Sequence, residues 1–123
     1  MKYQKYNFEN LQVYKLALEL VAEIYKITRD WPKEELFALS SQIKRAVISI
    51  VLNIAEGSGK GSKKDFARFL STSIGSVFEV RACLHIALTL SYIEGNRMRA
   101  INEKIDELFF KISTLRKSLS KNA

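Results

Sequence analysis

From about Asn10 onward the apolar residues Leu11, Tyr14, Leu18, Val21, Ile24, Tyr25 and Thr28 recur at steps of three and four. That is the period of a helix and not of a strand. It predicts a first helix over residues 10 to 29, ended by Trp31-Pro32, because the residue before a proline is pushed out of the helical region. Pro32 then opens a short turn through Glu34 and Glu35, whose charges suit a helix N-terminus. Ser40 is the predicted N-cap of a second helix over residues 41 to 56, stopped at Gly57-Ser58-Gly59. Ser62-Lys63-Lys64-Asp65 resembles a capping box with Asp in place of the usual Glu. It starts a third helix carrying Phe66, Phe69, Leu70, Ile74, Val77, Leu84 and Leu88, with Gly95 and Asn96 marking the next break. In the fourth helix Met98, Ile101, Ile105, Leu108, Ile112, Leu115 and Leu119 alternate three and four without interruption, the pattern of a bundle seam. Four helices joined by short loops predict an all-α fold, an up-down-up-down antiparallel four-helix bundle in a single domain over residues 1 to 123.

The second helix has an unusual polar face. Gln42, Arg45, Ser49, Asn53 and Glu56 fall on one stripe about 80° wide, and mostly aliphatic residues cover the rest of the circumference. A helix in a small bundle ordinarily shows water a wider face, so this pattern predicts a homo-oligomer in which another subunit covers the outer side. The third helix carries a matching stripe, Arg68, Thr72, Ser76 and Glu79, with Gly75 expected to allow close backbone approach. If the two helices pack antiparallel, facing residues have numbers adding to a constant; a value of about 124 pairs Arg45 with Glu79 and Glu56 with Arg68, and sets Asn53 near Ser71 and Thr72. The expectation is a structural polar seam of Arg45, Asn53, Glu56 and Glu79 that fixes register more than it stabilises. The rival reading of the stripe is a solvated face.

Charge adds a direction to this picture. The 123 residues carry a net charge of +7, all of it from two stretches. Residues 57 to 68 hold Lys60, Lys63, Lys64 and Arg68 against Asp65, a net +3; residues 97 to 123 hold seven bases against Glu103, Asp106 and Glu107, a net +4. Such clustering favours an anionic partner, nucleic acid first, although basic surfaces also serve solubility alone. Lys60, Lys63, Lys64 and Arg68 are therefore one set of candidate nucleic-acid contacts. Arg97, Lys104 and Lys111, spaced by seven on one face of the fourth helix, are another, with Arg116, Lys117 and Lys121 beyond them. The alternative in both places is a solvated surface. No recognised base-reading motif occurs, so sequence readout is not indicated.

Other chemistry finds little support. Gly57-Ser58-Gly59-Lys60-Gly61-Ser62 departs from a nucleotide-hydrolysing loop, because Lys60 precedes Gly61 and a helix rather than a strand comes before it. His85 is the single histidine and Cys83 the single cysteine, so a carboxylate-bridged metal pair, a zinc site and a hydrolytic triad all lack members. Cys83, in an apolar helical stretch, reads as a buried thiol. The expectation is a non-enzymatic protein with no metal and no cofactor. The longest nearly apolar run, Ala46 to Ala55, is about half the length a bilayer requires, and Met1 to Asn7 lacks the apolar core of a secretory signal. These features predict a cytoplasmic protein without a membrane partner.

The segment Arg45-Ala46-Val47-Ile48-Ser49-Ile50 with Asn53-Ile54-Ala55-Glu56-Gly57, followed by Phe66, Phe69-Leu70, Gly75-Ser76 and Glu79, resembles a family of four-helix bundles encoded in intervening sequences of bacterial 23S rRNA genes. Leu11-Gln12-Val13-Tyr14 with Ala17, Ile24-Tyr25 and Trp31-Pro32 fit its first helix. Tyr14, Trp31, Val51 and Lys60 depart from the residues common there, and none of them touches the polar seam. The resemblance implies a homopentameric barrel of bundles with a basic surface. It also implies kinship with the accessory protein of diversity-generating retroelements, which associates with a reverse transcriptase and nucleic acid. The family's label describes a gene location and not an activity, so a protein-interaction scaffold, such as an accessory subunit for a reverse transcriptase, stands beside nucleic-acid binding as an alternative.

Overall fold

The computed structural model describes residues 7–121. Met1 to Tyr6, most of the segment tested above for a secretory signal, and the side chain of Lys121 lie outside the described residues. The elements are α1 (Gln12–Thr28), α2 (Leu39–Ser58), α3 (Lys63–Thr89) and α4 (Gly95–Lys121), with short 3₁₀ turns at Asn7–Asn10 and Lys33–Glu35. No strand occurs among the described residues. Each helix packs against its chain neighbours, α1 also meets α4, and α2 with α3 makes the most extensive pair, so the chain is an all-α antiparallel four-helix bundle. One apolar cluster includes residues of all four helices, among them Leu20, Ile24, Ile43, Ile50, Ile54, Leu70, Leu84, Ile105, Leu108 and Ile112.

The face that α1 buries is rotated from the predicted one: Ile24 and Thr28 are buried and Leu11, Tyr14 and Val21 pack against the core as expected, but they lie to one side of its centre. Val13, Ala17, Leu20, Ile24 and Ile27 point inward, whereas Leu18 is 45% and Tyr25 36% exposed. Two sets of apolar residues at steps of three and four coexist on this helix, and only the neighbouring helices select between them. On α4 the predicted seam is the buried face: Met98, Ile101, Ile105, Leu108 and Ile112 are in the core, and Leu115 and Leu119 pack against it.

Helix ends follow backbone conformation more closely than residue type. Ser62 caps α3 as expected, its hydroxyl accepting from the backbone N–H of Asp65 at 3.0 Å. Ser40 does not cap α2; it is buried in the helix's first turn, and Ala38 holds the N-cap position. Glu35 helps instead, its Oε1 accepting from the N–H of Leu39 at 3.4 Å. Gly57 lies inside α2 and is buried, and the cap is Gly59. Gly95 and Asn96 open α4 instead of ending α3.

The turn after α3 is made by Ser91, which adopts φ 61. Its N–H donates to the carbonyl of Leu88 at 3.0 Å and that of Tyr92 to the carbonyl of Ala87 at 2.8 Å. This is a Schellman closure with serine where glycine is usual. A left-handed residue with a Cβ costs about 1–2 kcal/mol, partly recovered through the lower entropy of the unfolded chain. Ser91→Gly is therefore expected to stabilise the fold by about 0.5–1 kcal/mol, read as a higher urea midpoint at unchanged slope.

That same end of the bundle is clasped. The Tyr92 hydroxyl donates to Glu35 Oε2 at 2.7 Å, and the Tyr92 ring lies 6.1 Å from that of Trp31, which is 5% exposed. The hydrogen bond to Glu35, ahead of burial and the neighbouring charges of Glu35 and Glu34, raises the Tyr92 pKa above its ordinary value. Burial, and then the charge of Glu79, likewise push the Cys83 thiol up, as expected of an inert cysteine.

Candidate nucleic-acid interface

The α2–α3 pair sets the frame for the basic residues. Ser73, fully buried, donates from Oγ to the carbonyl of Ile50 at 3.0 Å, and Ser76 Oγ donates to Ser49 Oγ at 2.8 Å. Gln42 Nε2 donates to the Glu79 carboxylate. The residue numbers of these pairs lie close to the expected antiparallel register. The membership of the polar stripe differs from the prediction. Arg45 is exposed and is not the partner of Glu79; Gln42 takes that place. Glu56 pairs with Lys60 at 3.6 Å and Arg68 with Asp65 at 3.5 Å, both along their own stretch of chain. Asn53 Nδ2 donates within α2, to the carbonyl and hydroxyl of Ser49 at 2.9 and 3.1 Å. Short hydroxyls and one amide bridge the helices because charged side chains reach water at lower cost.

Close approach at the other end of this pair depends on Gly57. A Cβ there would stand 2.5 Å from Phe69 Cβ and 3.1 Å from Phe66 Cδ1. The Phe69 ring in turn carries two cations, Lys60 Nζ at 5.3 Å and the Arg68 guanidinium carbon at 5.1 Å from its centroid. Two of the four predicted contacts in residues 57 to 68 are thus held in place by one aromatic ring. Lys63 and Lys64 are exposed in the first turn of α3.

Antiparallel packing brings the start of α3 and the end of α4 to the same end of the bundle. Lys64, Asp65, Ala67, Arg68 and Ser71 form one wall of an open groove of about 600 Å³, and Arg116, Lys117 and Ser120 form the other. Arg116 Nη1 donates across it to Ser71 Oγ at 3.2 Å. The predicted α4 stripe behaves differently. Arg97 is at the opposite end, paired with Asp30 at 3.2 Å, and Lys111 Nζ donates to Gln12 Oε1 at 3.4 Å. Lys104 lines a small hollow of about 110 Å³ with Leu16, Glu19 and Glu107. All three line the side of α4 that faces α1, where acids and amides meet their charge. Arg116 and Lys117, which the sequence sets beyond the α4 stripe, join the bases of α3 only once the helices are assembled.

No group of three or more His, Cys, Asp or Glu side chains able to hold a metal ion occurs among the described residues. His85 is exposed on α3. No described helix is long and apolar enough to cross a membrane.

The sequence model of the 23S rRNA-intervening sequence proteins matches residues 9–114. Among solved structures, the chain is similar to a crystal structure from Bacteroides thetaiotaomicron described as a protein with unknown function from the S23 ribosomal protein family. The two share 26% identity with a TM-score of 0.76, over 85% of this chain and 98% of that one. No curated protein matches the chain.

Proposed function

The chain belongs to the family of 23S rRNA-intervening sequence proteins, and from that premise we propose that it is a non-enzymatic, single-domain, cytoplasmic homo-oligomer that binds nucleic acid, RNA foremost, through its basic surface. The observation that supports this reading is the meeting of two basic stretches at one end of the bundle, Lys60, Lys63, Lys64 and Arg68 from one and Arg116 and Lys117 from the other. Charge gathered this way acts on phosphates as a unit, without base readout. The homo-oligomer is supported by apolar side chains on the outside: Leu52 on α2 is 59% exposed, Ile48 37%, and Phe37 just before α2 93%. A pentamer is the assembly that the family resemblance suggests.

Titration of a labelled RNA at several salt concentrations tests the reading. With about four phosphates covered per chain, log K should fall linearly with log salt with a slope of roughly −3. Absence of binding at low salt would exclude it. The second reading, a scaffold that docks a protein such as a reverse transcriptase, is favoured by the same exposed apolar residues. It predicts capture of that protein independently of salt and with no RNA affinity.

A further inference from the structure

We propose, resting on the nucleic-acid reading above, that the groove between the first turns of α3 and the last turns of α4 seats the phosphodiester backbone of a single-stranded nucleic acid. Four bases line it, Lys64 and Arg68 on one wall and Arg116 and Lys117 on the other, against the single acid Asp65. Two arginines elsewhere on the bundle are paired more closely: Arg81 with Asp106 at 2.8 Å and Arg97 with Asp30 at 3.2 Å. In the groove Lys64 and Lys117 make no ion pair among the described residues, and Arg68 meets Asp65 only at 3.5 Å, with the side chains 70% and 46% exposed. Such a hydrated pair is weak, and a phosphate offers Arg68 a stronger, two-point partner.

Both guanidinium groups are also oriented before any ligand arrives. Phe69 supports Arg68 from below, and the Ser71 hydroxyl holds Arg116 across the groove. Arginine held in this way keeps its planar fork ready for phosphate oxygens with less entropy to lose. The Ser71 and Ser120 hydroxyls donate to the carbonyls of Ala67 and Arg116, both at 3.2 Å, so the four bases are the groove's phosphate contacts; no aromatic ring lines it, and it offers no platform for bases. The groove is an open recess of about 600 Å³ with bases on both walls, which a flexible single strand can follow with successive phosphates and a stiff duplex cannot bend into.

The test is fluorescence anisotropy of a labelled oligouridylate with the full chain across a salt series. Arg116→Gln/Lys117→Gln should weaken binding about tenfold at low salt and flatten the log–log slope by roughly 1.4, the loss of two phosphate contacts to a single strand. Lys26→Gln/Lys33→Gln removes the same charge from exposed positions away from the groove and should stay within about twofold of the parent protein. An unlabelled duplex with the same number of phosphates should compete more weakly than unlabelled oligouridylate. Equal losses in the two double variants, an unaffected groove variant, or a duplex that competes equally well would each overturn the groove while leaving salt-dependent binding by the parent chain intact. A parent chain that does not bind oligouridylate at low salt overturns the groove and the nucleic-acid reading together. Circular dichroism of each variant confirms that the helices are retained.

Discussion

Gly57→Ala is expected to destabilise the bundle by about 1–3 kcal/mol, although alanine is the better helix former by roughly 1 kcal/mol. The reason is the position of the added methyl, 2.5 Å from Phe69 Cβ. A Cβ is fixed to its backbone and cannot rotate away, so α2 and α3, the most extensive helix pair, must separate at this end. Gly75 supplies the contrast on α3: against the expectation of a close backbone approach there, its added Cβ would meet nothing within 4 Å, and Gly75→Ala should be neutral or stabilising in the monomer. Trp31 is the only tryptophan, so its emission during urea unfolding measures both variants. A chain of this length should lose roughly 3–6 °C of melting temperature per kcal/mol. Gly57→Ala unfolding at the parent midpoint would show that the two helices tolerate a wider spacing.

Trp31→Ala should cost still more, about 3–5 kcal/mol, a large share of the roughly 5–15 kcal/mol that holds a domain together. Trp31 is 5% exposed, and its removal opens a hole beneath the clasp formed by Glu35 and Tyr92. Trp31→Phe separates volume from polarity. The indole Nε1 is buried and finds no hydrogen-bond partner among the described residues, so phenylalanine relieves an unsatisfied donor while leaving a smaller hole. Its expected cost is below about 1.5 kcal/mol. Urea unfolding followed at 222 nm by circular dichroism compares the two, since neither retains tryptophan emission. Equal costs would mean that the indole acts through something other than its volume.

The two effects sit at opposite ends of the bundle, and they differ in how visible they were beforehand. Trp31-Pro32 marked a helix end from sequence, yet its burial depends on Tyr92 from another loop. Gly57 read as a helix terminator, because glycine after a helical stretch usually is one; its buried place in α2 depends on two phenylalanines of the next helix. Ser91 shows the same limit from the other side. Nothing in its residue type announces a left-handed turn, so Gly95 was credited with a break that lies several residues earlier.

The apolar period of α4 and the Ser62 cap were legible because each is a local property: a repeat of three and four, or a hydroxyl three residues from an N–H, is complete within one stretch of chain. The number of helices and their antiparallel course follow from such repeats and short connections. Which apolar stripe of α1 faces inward, which side chains bridge α2 and α3, and which bases share a surface are settled by neighbours far along the chain. Arg68 and Arg116 are separated by most of two helices in sequence, and they line one groove only because those helices run in opposite directions. The chain's own pattern thus determines its helices and its excess of positive charge, while packing decides where that charge gathers, since charge acts through distances in space.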